Sequence, residues 1–567
     1  MTAIVAGAAE EAQSPFARVR GYRLVWFLVI AGCYLLVGLW LSYHRGLIMG
    51  DALSRVADAR FVLFSRFPHL AAMGFVFTPL TTFLQLPLVA VLNPWPDLLA
   101  HAVPAIVVSA LAMSGAVLQV AGMLRDRRMT GGWIIVLSAM LALHPMIIIY
   151  GANGMSEALF LLMMAICARF LLRWFGSDDV HDLALVGLAL ALGLLVRYDA
   201  LAVAIACAVL VAGTSWSRAR SRGARGSSAA AMDVAVVLAP ISTTFLLWTG
   251  TSWLITGEAL AQFSSDYGNS AIVAASGGAV GGAGFRAGFT LIEWLVLEPM
   301  IFMIVALAVV VTAVRRVPDA LPALIVYGAV LGFQGLMYVR GGTFGFLRFA
   351  ITVIPLAVGL VGVLRPRRGL LYSRRAGPGA RLTGSVRTLS PVRRIWSWVA
   401  VAGLLLPTLL LPALIMTRPT LAPQEYAVLA GLLPSTVSPK TQLSVEQQER
   451  TFTTEREVAQ YLDALRLPDG AVLTDTLYGD AIVVASDHPR QFVIPSDLDF
   501  TNVLNDPSGH HVRYVITVPN LGRGSTDAIN QRFPTIYANG ADIAMLDMEF
   551  PNSGTDQPTY RLYRVIN

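Results

Sequence analysis

The stretch LIMGDALSRVADARFVLFSRFPHLAAMGF, residues 47–75, interrupts a chain that is otherwise largely apolar. It follows the first long apolar run and carries Asp51, Arg55, Asp58, Arg60, Arg66 and His69. Asp51, Arg55, Asp58 and Val62 recur at i, i+4, i+7 and i+11, which puts them on one helical face. Leu53, Val56, Ala57 and Phe64 take the other face. The segment therefore reads as an interfacial helix, apolar side towards bilayer or protein, displaying two carboxylates together. Asp51 directly follows Gly50, so helix capping and chemistry are both open to it, as is pairing of Asp58 with Arg55.

The surroundings give that helix its meaning. The 567 residues are 56% hydrophobic and 14% charged, more apolar than a water-soluble domain needs. Apolar runs of about 20 residues recur, as membrane-spanning helices require. The first, 22–43, follows Arg18 and Arg20, is too long for a cleaved leader and lacks a small-residue cleavage site, so it reads as a retained anchor. About eleven spans are expected, near 22–43, 98–123, 132–150, 155–174, 182–196, 199–215, 232–256, 289–313, 320–339, 347–364 and 397–416. Cys33, Cys167 and Cys207 lie inside apolar runs and read as small core residues, not as disulfide partners or metal ligands.

Charge sets the expected sidedness. Residues 417–567 carry 11 basic and 18 acidic side chains, a balance of −7 that leaves +14 on the first 416. That excess concentrates in 125–128 (RDRR), 218–225 (RARSRGAR), 315–316 (RR) and 365–394, the last with nine Arg and no acid. The positive-inside rule assigns these loops and the N-terminus to the cytoplasm, and the last reads as a solvated or headgroup-binding loop. The stretch 75–92 then reads as a re-entrant or interfacial hairpin, because a full crossing would carry RDRR outside; Pro79 and Pro87 suit that. The expected organisation is a cytoplasmic segment 1–21, a membrane domain 22–416 with a first external loop 44–97 and an Arg-rich cytoplasmic loop 365–396, and an extracytoplasmic tail 417–567. The loop 257–288 is rich in Gly, Ala and Ser and reads as mobile. The tail alternates a helical stretch (EREVAQYLDAL, 455–465) with strand-like ones at 471–476, 513–519, 542–548 and 560–566, the pattern of a small α/β domain.

Further polar groups stand at span ends on the face that holds 47–75: Glu157 in GANGMSE, Arg197 and Asp199 in VRYDA, Arg340 in YVRGG and Arg348 in GFLRF. Ionisable side chains at a membrane boundary are costly and tend to be paired or functional. Several on one rim suggest a shared cavity opening outward. Asp51, Asp58 and Glu157 are hard oxygen ligands suited to a divalent cation, although no spacing demands one. The eight His are scattered, which argues against zinc. No GxxxxGK[ST] loop is present. Nucleic acid is not an expected partner, since the basic charge lies at the membrane surface.

GDALSRVADARFVLFSRFPHLAAMGF (50–75), YGANGMSEALFLL (150–162), LLVRYDALAV (194–203) and FLRFAITVIPLAVGL (346–360), in their order and shared sidedness, resemble GT-C glycosyltransferases. These polytopic enzymes include protein O-mannosyltransferases and the lipid A aminoarabinose transferase. The resemblance covers roughly 22–364. It implies a polytopic helical membrane protein with a soluble C-terminal domain outside the membrane; the use of Arg for every basic residue but Lys440, with abundant Ala and Gly, points to a GC-rich bacterial genome and hence a bacterial plasma membrane. The resemblance implies a polyprenyl-phosphate-linked sugar donor and a cell-envelope glycan, lipid or protein as acceptor. It also implies a catalytic carboxylate in the first external loop, here Asp51. Many members have two adjacent acids there; this chain has Gly50-Asp51, with Asp58 two helical turns on.

On that basis Asp51 is the expected general base. Arg348 and Arg340, with Arg197 behind them, are the expected phosphate ligands, because a guanidinium donates two hydrogen bonds to phosphate oxygens. His69 is a candidate for phosphate or sugar contact, or a turn-capping residue. Glu157 is a candidate for orienting sugar hydroxyls or assisting Asp51, or a helix cap. Asp58 and Asp199 complete the substrate-binding candidates. Two rival readings are a lipid or sugar-lipid transporter and a non-catalytic membrane scaffold. Transporters often show repeats and midplane polar groups, whereas this chain has no evident repeat and keeps its charges at one rim. The tail is expected to help choose or position the acceptor.

Overall fold

Prolines set the irregularities of the membrane part. The computed structural model describes residues 15–364 and 399–566, apart from 224, 265–272, 274–279, 316–317, 404, 433–437 and 556. Residues 1–14, much of the loop 257–288 and the Arg-rich loop 365–396 thus lie outside the described residues. The helices are α1 (Pro15–Leu39, continued by a π turn to His44), α2 (Gly50–Phe64), α3 (Leu80–Leu92), α4 (Pro96–Ala100), α5 (Val103–Asp126), α6 (Gly131–Ala142) and α7 (Pro145–Ala152). They continue with α8 (Glu157–Ser177), α9 (Val180–Leu194), α10 (Asp199–Ser221) and α11 (Gly226–Thr256). After a single turn at Ala261–Ser264 come α12 (Ala283–Leu297), α13 (Ile301–Arg315), α14 (Leu321–Val339), a 3-10 turn Leu347–Ala350 and α15 (Val353–Leu364).

Among the described residues seven helices are long and apolar enough to cross a membrane, or up to nine if two bent pairs each count as one span. Shorter apolar helices, Val180–Leu194 and Val399–Ile415, stand where two more spans were expected. The bent pairs are α6 with α7 (65°) and α12 with α13 (81°), where straight spans were expected. Each break falls at a residue followed by proline, His144-Pro145 and Glu298-Pro299. Proline disfavours α geometry in the residue before it and brings no N–H of its own; His144 accordingly sits at φ −63°, ψ 130° and Glu298 at φ −139°, ψ 83°. The two breaks meet. His144 Nε2 lies 3.2 Å from the Leu297 carbonyl oxygen, and its Nδ1 accepts from the Met146 N–H at 3.2 Å. Backbone groups freed by the bends thus find partners inside the protein, as hydrocarbon surroundings demand.

Leu24, Leu28 and Leu36 on α1, Ile205 and Val209 on α10, and Leu246, Leu247 and Leu254 on α11 are exposed, a belt suited to lipid rather than water. The Arg-rich segments gather at one end of the bundle, through the pairs Arg169–Asp126, Arg127–Asp319 and Arg218–Asp178 and the Arg315 bond to the Val363 carbonyl. Helix α2 lies at the other end, where Ala52 packs beside Gly154 and Ala105. The stretch expected as a hairpin at 75–92 forms instead the single helix α3. Its 13 residues span only about 20 Å, too short to cross, and it packs along α2.

The tail holds a five-stranded sheet of order β2-β1-β3-β5-β4, comprising β1 (Val472–Leu473), β2 (Phe492–Val493), β3 (Tyr514–Thr517), β4 (Ala544–Phe550) and β5 (Tyr560–Val565). β1 is parallel to β2 and β3; β5 is antiparallel to β3 and β4. Four strands coincide with the strand-like stretches of the sequence, and the two-residue β2 does not. The expected helix at 455–465 is α16 (Thr453–Ala464), and α17 (Thr476–Ala485) follows β1. Strand alternation divides the apolar residues between two cores. Val472 and Ile516 join the core that runs through the membrane bundle, while Leu473, Val493 and Val515 form a second one.

That continuity changes the environment of α2. Ala52, Val56, Ala57 and Ala59 are fully buried, and Arg55 and Arg60 are buried too. Of the two expected surroundings for the apolar side, bilayer or protein, protein is found: α2 is sandwiched between tail and bundle. Arg60, 1% exposed, donates from Nη1 to the carbonyls of Val483 (2.9 Å), Val484 (2.7 Å) and Ser486 (2.8 Å) at the C-terminus of α17. Ser54 donates to Asp480 at 2.6 Å, Arg66 pairs with Asp497 and Asp499, and Arg45 with Glu449.

Candidate functional site

Helix α2 begins at an extended N-cap, Met49 (φ −83°, ψ 129°), which makes no side-chain capping bond. Asp51 therefore stands in the first turn, where a carboxylate favours the helix dipole, with its side chain free to turn away. It turns to Arg348, whose Nη1 donates to Asp51 Oδ2 at 3.0 Å. Arg348 projects from the 3-10 turn Leu347–Ala350, its guanidinium 5.4 Å from the Phe346 ring centroid and 5.1 Å from that of Phe349. Two aromatic faces thus hold the cation in place.

A buried charge network continues behind this pair. Arg348 Nε lies 3.8 Å from Glu157 Oε1, and Arg197 Nη1 donates to the same oxygen at 2.8 Å. Arg197 Nε donates to Asp199 Oδ2 at 2.9 Å, and Gln334 of α14 donates to Asp199 Oδ1. Glu157 opens α8 and Asp199 opens α10, so both carboxylates also meet helix N-termini. The turn before Glu157 requires a glycine. Gly154 has φ +78°, and a Cβ there would meet Ala105 Cβ at 2.8 Å and Ala52 Cβ at 3.1 Å. GANGMSE therefore packs Gly154 against Ala52, the α2 residue next to Asp51, three residues before Glu157.

Exposure separates the roles. The Asp51 side chain is recessed within protein yet 41% exposed, against 11% for Arg348 and 2% for Glu157. Burial pushes the Asp51 carboxyl up, but the charges of Arg348, then Arg55 and Arg197, outweigh this and hold it below its usual range. Two atoms in the network are buried without a hydrogen-bond partner, Arg348 Nε and Glu157 Oε2. Such atoms are few in native structures and call for a reason.

The structure thus brings together Asp51, Glu157, Arg197, Asp199 and Arg348. The other candidates stand apart from this network. Asp58 faces Asp480 of the tail and has its Oδ2 buried without a partner; burial pushes its carboxyl well up, Arg55 opposes this and Asp480 adds to it. His69 lies in the turn after Pro68, its Nδ1 2.6 Å from the Phe67 carbonyl oxygen. Arg340 is exposed at the end of α14. The divalent-ion trio of Asp51, Asp58 and Glu157 does not converge, and among the described residues no group of three or more His, Cys, Asp or Glu is arranged to hold a metal ion.

Sequence reasoning missed several neighbours. Arg55 donates to the Asp51 carbonyl at 2.6 Å and lies over the Phe77 ring at 4.3 Å; its i+4 spacing from Asp51 was the available signal. Tyr150 donates to Glu425 Oε1 at 2.6 Å, both buried and within electrostatic reach of Arg348. No local pattern marks Glu425, which lies 275 residues from its partner.

No protein-family model and no curated protein matches the chain. Among solved structures, ArnT from Cupriavidus metallidurans bound to undecaprenyl phosphate superposes with a TM-score of 0.53 at 12% identity, covering 96% of this chain and 98% of that one. The same protein in the apo state gives 0.52 at 13%, covering 97% and 98%. The match takes in both the helical bundle and the tail. At the level of fold, the resemblance read from the four motifs is borne out: this chain shares the architecture of ArnT.

Proposed function

We propose that the chain is a membrane glycosyltransferase that moves a sugar from a polyprenyl-phosphate donor to an acceptor at the non-cytoplasmic face. The observation that carries this reading is the Asp51–Arg348 pair, an accessible carboxylate backed by a buried guanidinium with a spare N–H. The undecaprenyl phosphate bound to ArnT supports a lipid phosphate as the leaving group. With the Arg-rich end of the bundle cytoplasmic, the site opens on the opposite side.

The chemistry follows from the charges. The acceptor hydroxyl oxygen attacks the anomeric carbon, and Asp51 takes its proton as the new bond forms. The bond from the anomeric carbon to the phosphate oxygen breaks, and its electron pair leaves with the lipid phosphate. Charge growing on that oxygen is met by Arg348, whose position is fixed before the reaction by Phe346, Phe349 and Glu157. Arg197, held by Glu157 and Asp199, adds a second positive charge behind it. One direct displacement inverts the anomeric centre. Glu157 and Asp199 act here as positioning residues; Asp58, His69 and Arg340 receive no role in the step.

The test uses the full-length protein in lipid nanodiscs with undecaprenyl-phosphate monosaccharides and candidate acceptors. Wild type should release undecaprenyl phosphate, and Asp51→Asn should lower release by about 10²–10⁴-fold while still binding the lipid. Movement of intact sugar-lipid between leaflets without release would support a transporter, and neither activity a scaffold; both would overturn the proposal.

A further inference from the structure

Tyr150 and Glu425 meet near Arg348 and have no part in the step described above. The Tyr150 hydroxyl donates to Glu425 Oε1 at 2.6 Å, with Tyr150 0% and Glu425 1% exposed. Glu425 belongs to the tail: it stands before the helix Tyr426–Leu432, its N–H bonded to the Ala422 carbonyl. Its Oε2 is buried without a hydrogen-bond partner. One phenol is thin compensation for a buried carboxylate, which is far costlier to take out of water than an amide of the same shape. A glutamine would anchor the tail to α7 more cheaply, so the acid asks for another reason.

Arg348 supplies that reason. The titratable and charged groups that face Glu425 are Tyr150 of α7, Arg348 of the 3-10 turn, Glu157 of α8 and Glu293 of α12. Of these four only Arg348 is a cation. Burial pushes the Glu425 carboxyl up, and the Tyr150 bond and the Arg348 charge oppose it. A phosphate seated on Arg348 cancels that opposition, because its negative charge offsets the guanidinium and repels an ionised carboxylate. Arg348 Nε, buried without a hydrogen-bond partner and 3.8 Å from Glu157 Oε1, is a spare donor for such a phosphate. A proton on Glu425 and a phosphate on Arg348 therefore favour each other, and the coupling is reciprocal.

We infer that Glu425 is a positioning residue that the tail supplies to Arg348, and that it takes up a proton from solvent as the lipid phosphate seats on that guanidinium. The one bond formed is the carboxyl O–H, and Glu425 exchanges no proton with the acceptor. Neutral Glu425 leaves the charge of Arg348 to the phosphate. Once the phosphate has gone, ionised Glu425 again shares that charge with Asp51 and Glu157. The inference rests on the transferase reading and adds to it a proton coupled to binding of the donor phosphate.

The test measures binding of undecaprenyl methyl phosphate to the full-length protein in nanodiscs. This phosphodiester keeps one negative charge throughout, so the ligand itself takes up no proton. Calorimetry in buffers of different ionisation enthalpy counts the protons bound. Wild type should take up a proton on binding, and its affinity should fall between about pH 5 and about pH 8, by up to about tenfold per pH unit. Glu425→Gln keeps an acceptor for Tyr150 but cannot be protonated. It should flatten the profile, abolish the uptake and bind severalfold more tightly than wild type at about pH 8. Binding by wild type without proton uptake overturns the inference. So does uptake that persists in Glu425→Gln, which would place the proton on Asp51 or Glu293. A Glu425→Gln protein that binds more weakly at every pH with an unaltered slope would reduce Glu425 to a structural anchor. Uptake is read on wild type, so the inference is decided even if the variant does not fold. If wild type does not bind the lipid at any pH, the transferase reading falls as well; binding without uptake leaves that reading standing.

Discussion

Arg348 does two things to Asp51: it fixes the carboxylate by a 3.0 Å bond and supplies the largest charge effect opposing burial. Burial pushes the Asp51 carboxyl up, but the Arg348 guanidinium, with Arg55 and Arg197, holds it below its usual range. The acid limb of kcat/KM in wild type should therefore lie below that of an ordinary aspartate. Arg348→Gln removes the charge and should move that limb to higher pH, with a large loss of rate. Arg348→Lys should keep the limb near its wild-type position but lower the rate, since one ammonium replaces a two-pronged donor. An unmoved limb in Arg348→Gln would show that Arg348 does not tune Asp51.

Helix α2 is held from both sides, and its contacts with the tail can be tested separately from the chemistry. Arg60 satisfies three carbonyls at the end of α17 with one buried guanidinium nitrogen. Arg60→Met leaves those carbonyls without that donor and should cost about 3 kcal/mol or more, read as a lower thermal midpoint and faster proteolysis within 440–567. Asp480, bonded to Ser54, gives a pH signature. Burial pushes its carboxyl up to about 6, against bonds from Ser54 and the Ala481 N–H. The folded state then holds a proton that an unfolded chain releases near pH 4. Ionising Asp480 costs stability progressively as pH rises from about 4, and the full cost is present above 6. Asp480→Asn should raise the midpoint by a few degrees at pH 8, with the gain shrinking towards pH 4. A gain that does not vary with pH would remove Asp480 titration as its cause.

On the scale of the whole molecule, tail and membrane bundle share one hydrophobic core through α2. A tail that merely selected the acceptor would be separable from donor chemistry. Since α2 carries Asp51 and is covered by α17, truncation after residue 439 should abolish donor hydrolysis together with transfer, and lower the midpoint of the remaining bundle. Survival of hydrolysis in the truncated protein would show that the bundle alone orders α2.

Much of this architecture was legible in the sequence because it depends on local pattern. Apolar runs of spanning length, Arg-rich connections and period-two strands are read a few residues at a time, and so were Asp51, Glu157, Arg197, Asp199 and Arg348 at span ends. The chain alone did not determine which of these charges meet. Asp51 and Arg348 are 297 residues apart, Tyr150 and Glu425 275, and Arg60 and Val483 423. Such pairs form only when helices from distant parts of the chain pack, and the cost of burying a charge selects the packing that neutralises it. By the same route tertiary structure left His69 and Arg340 outside the network and turned Asp58 towards the tail.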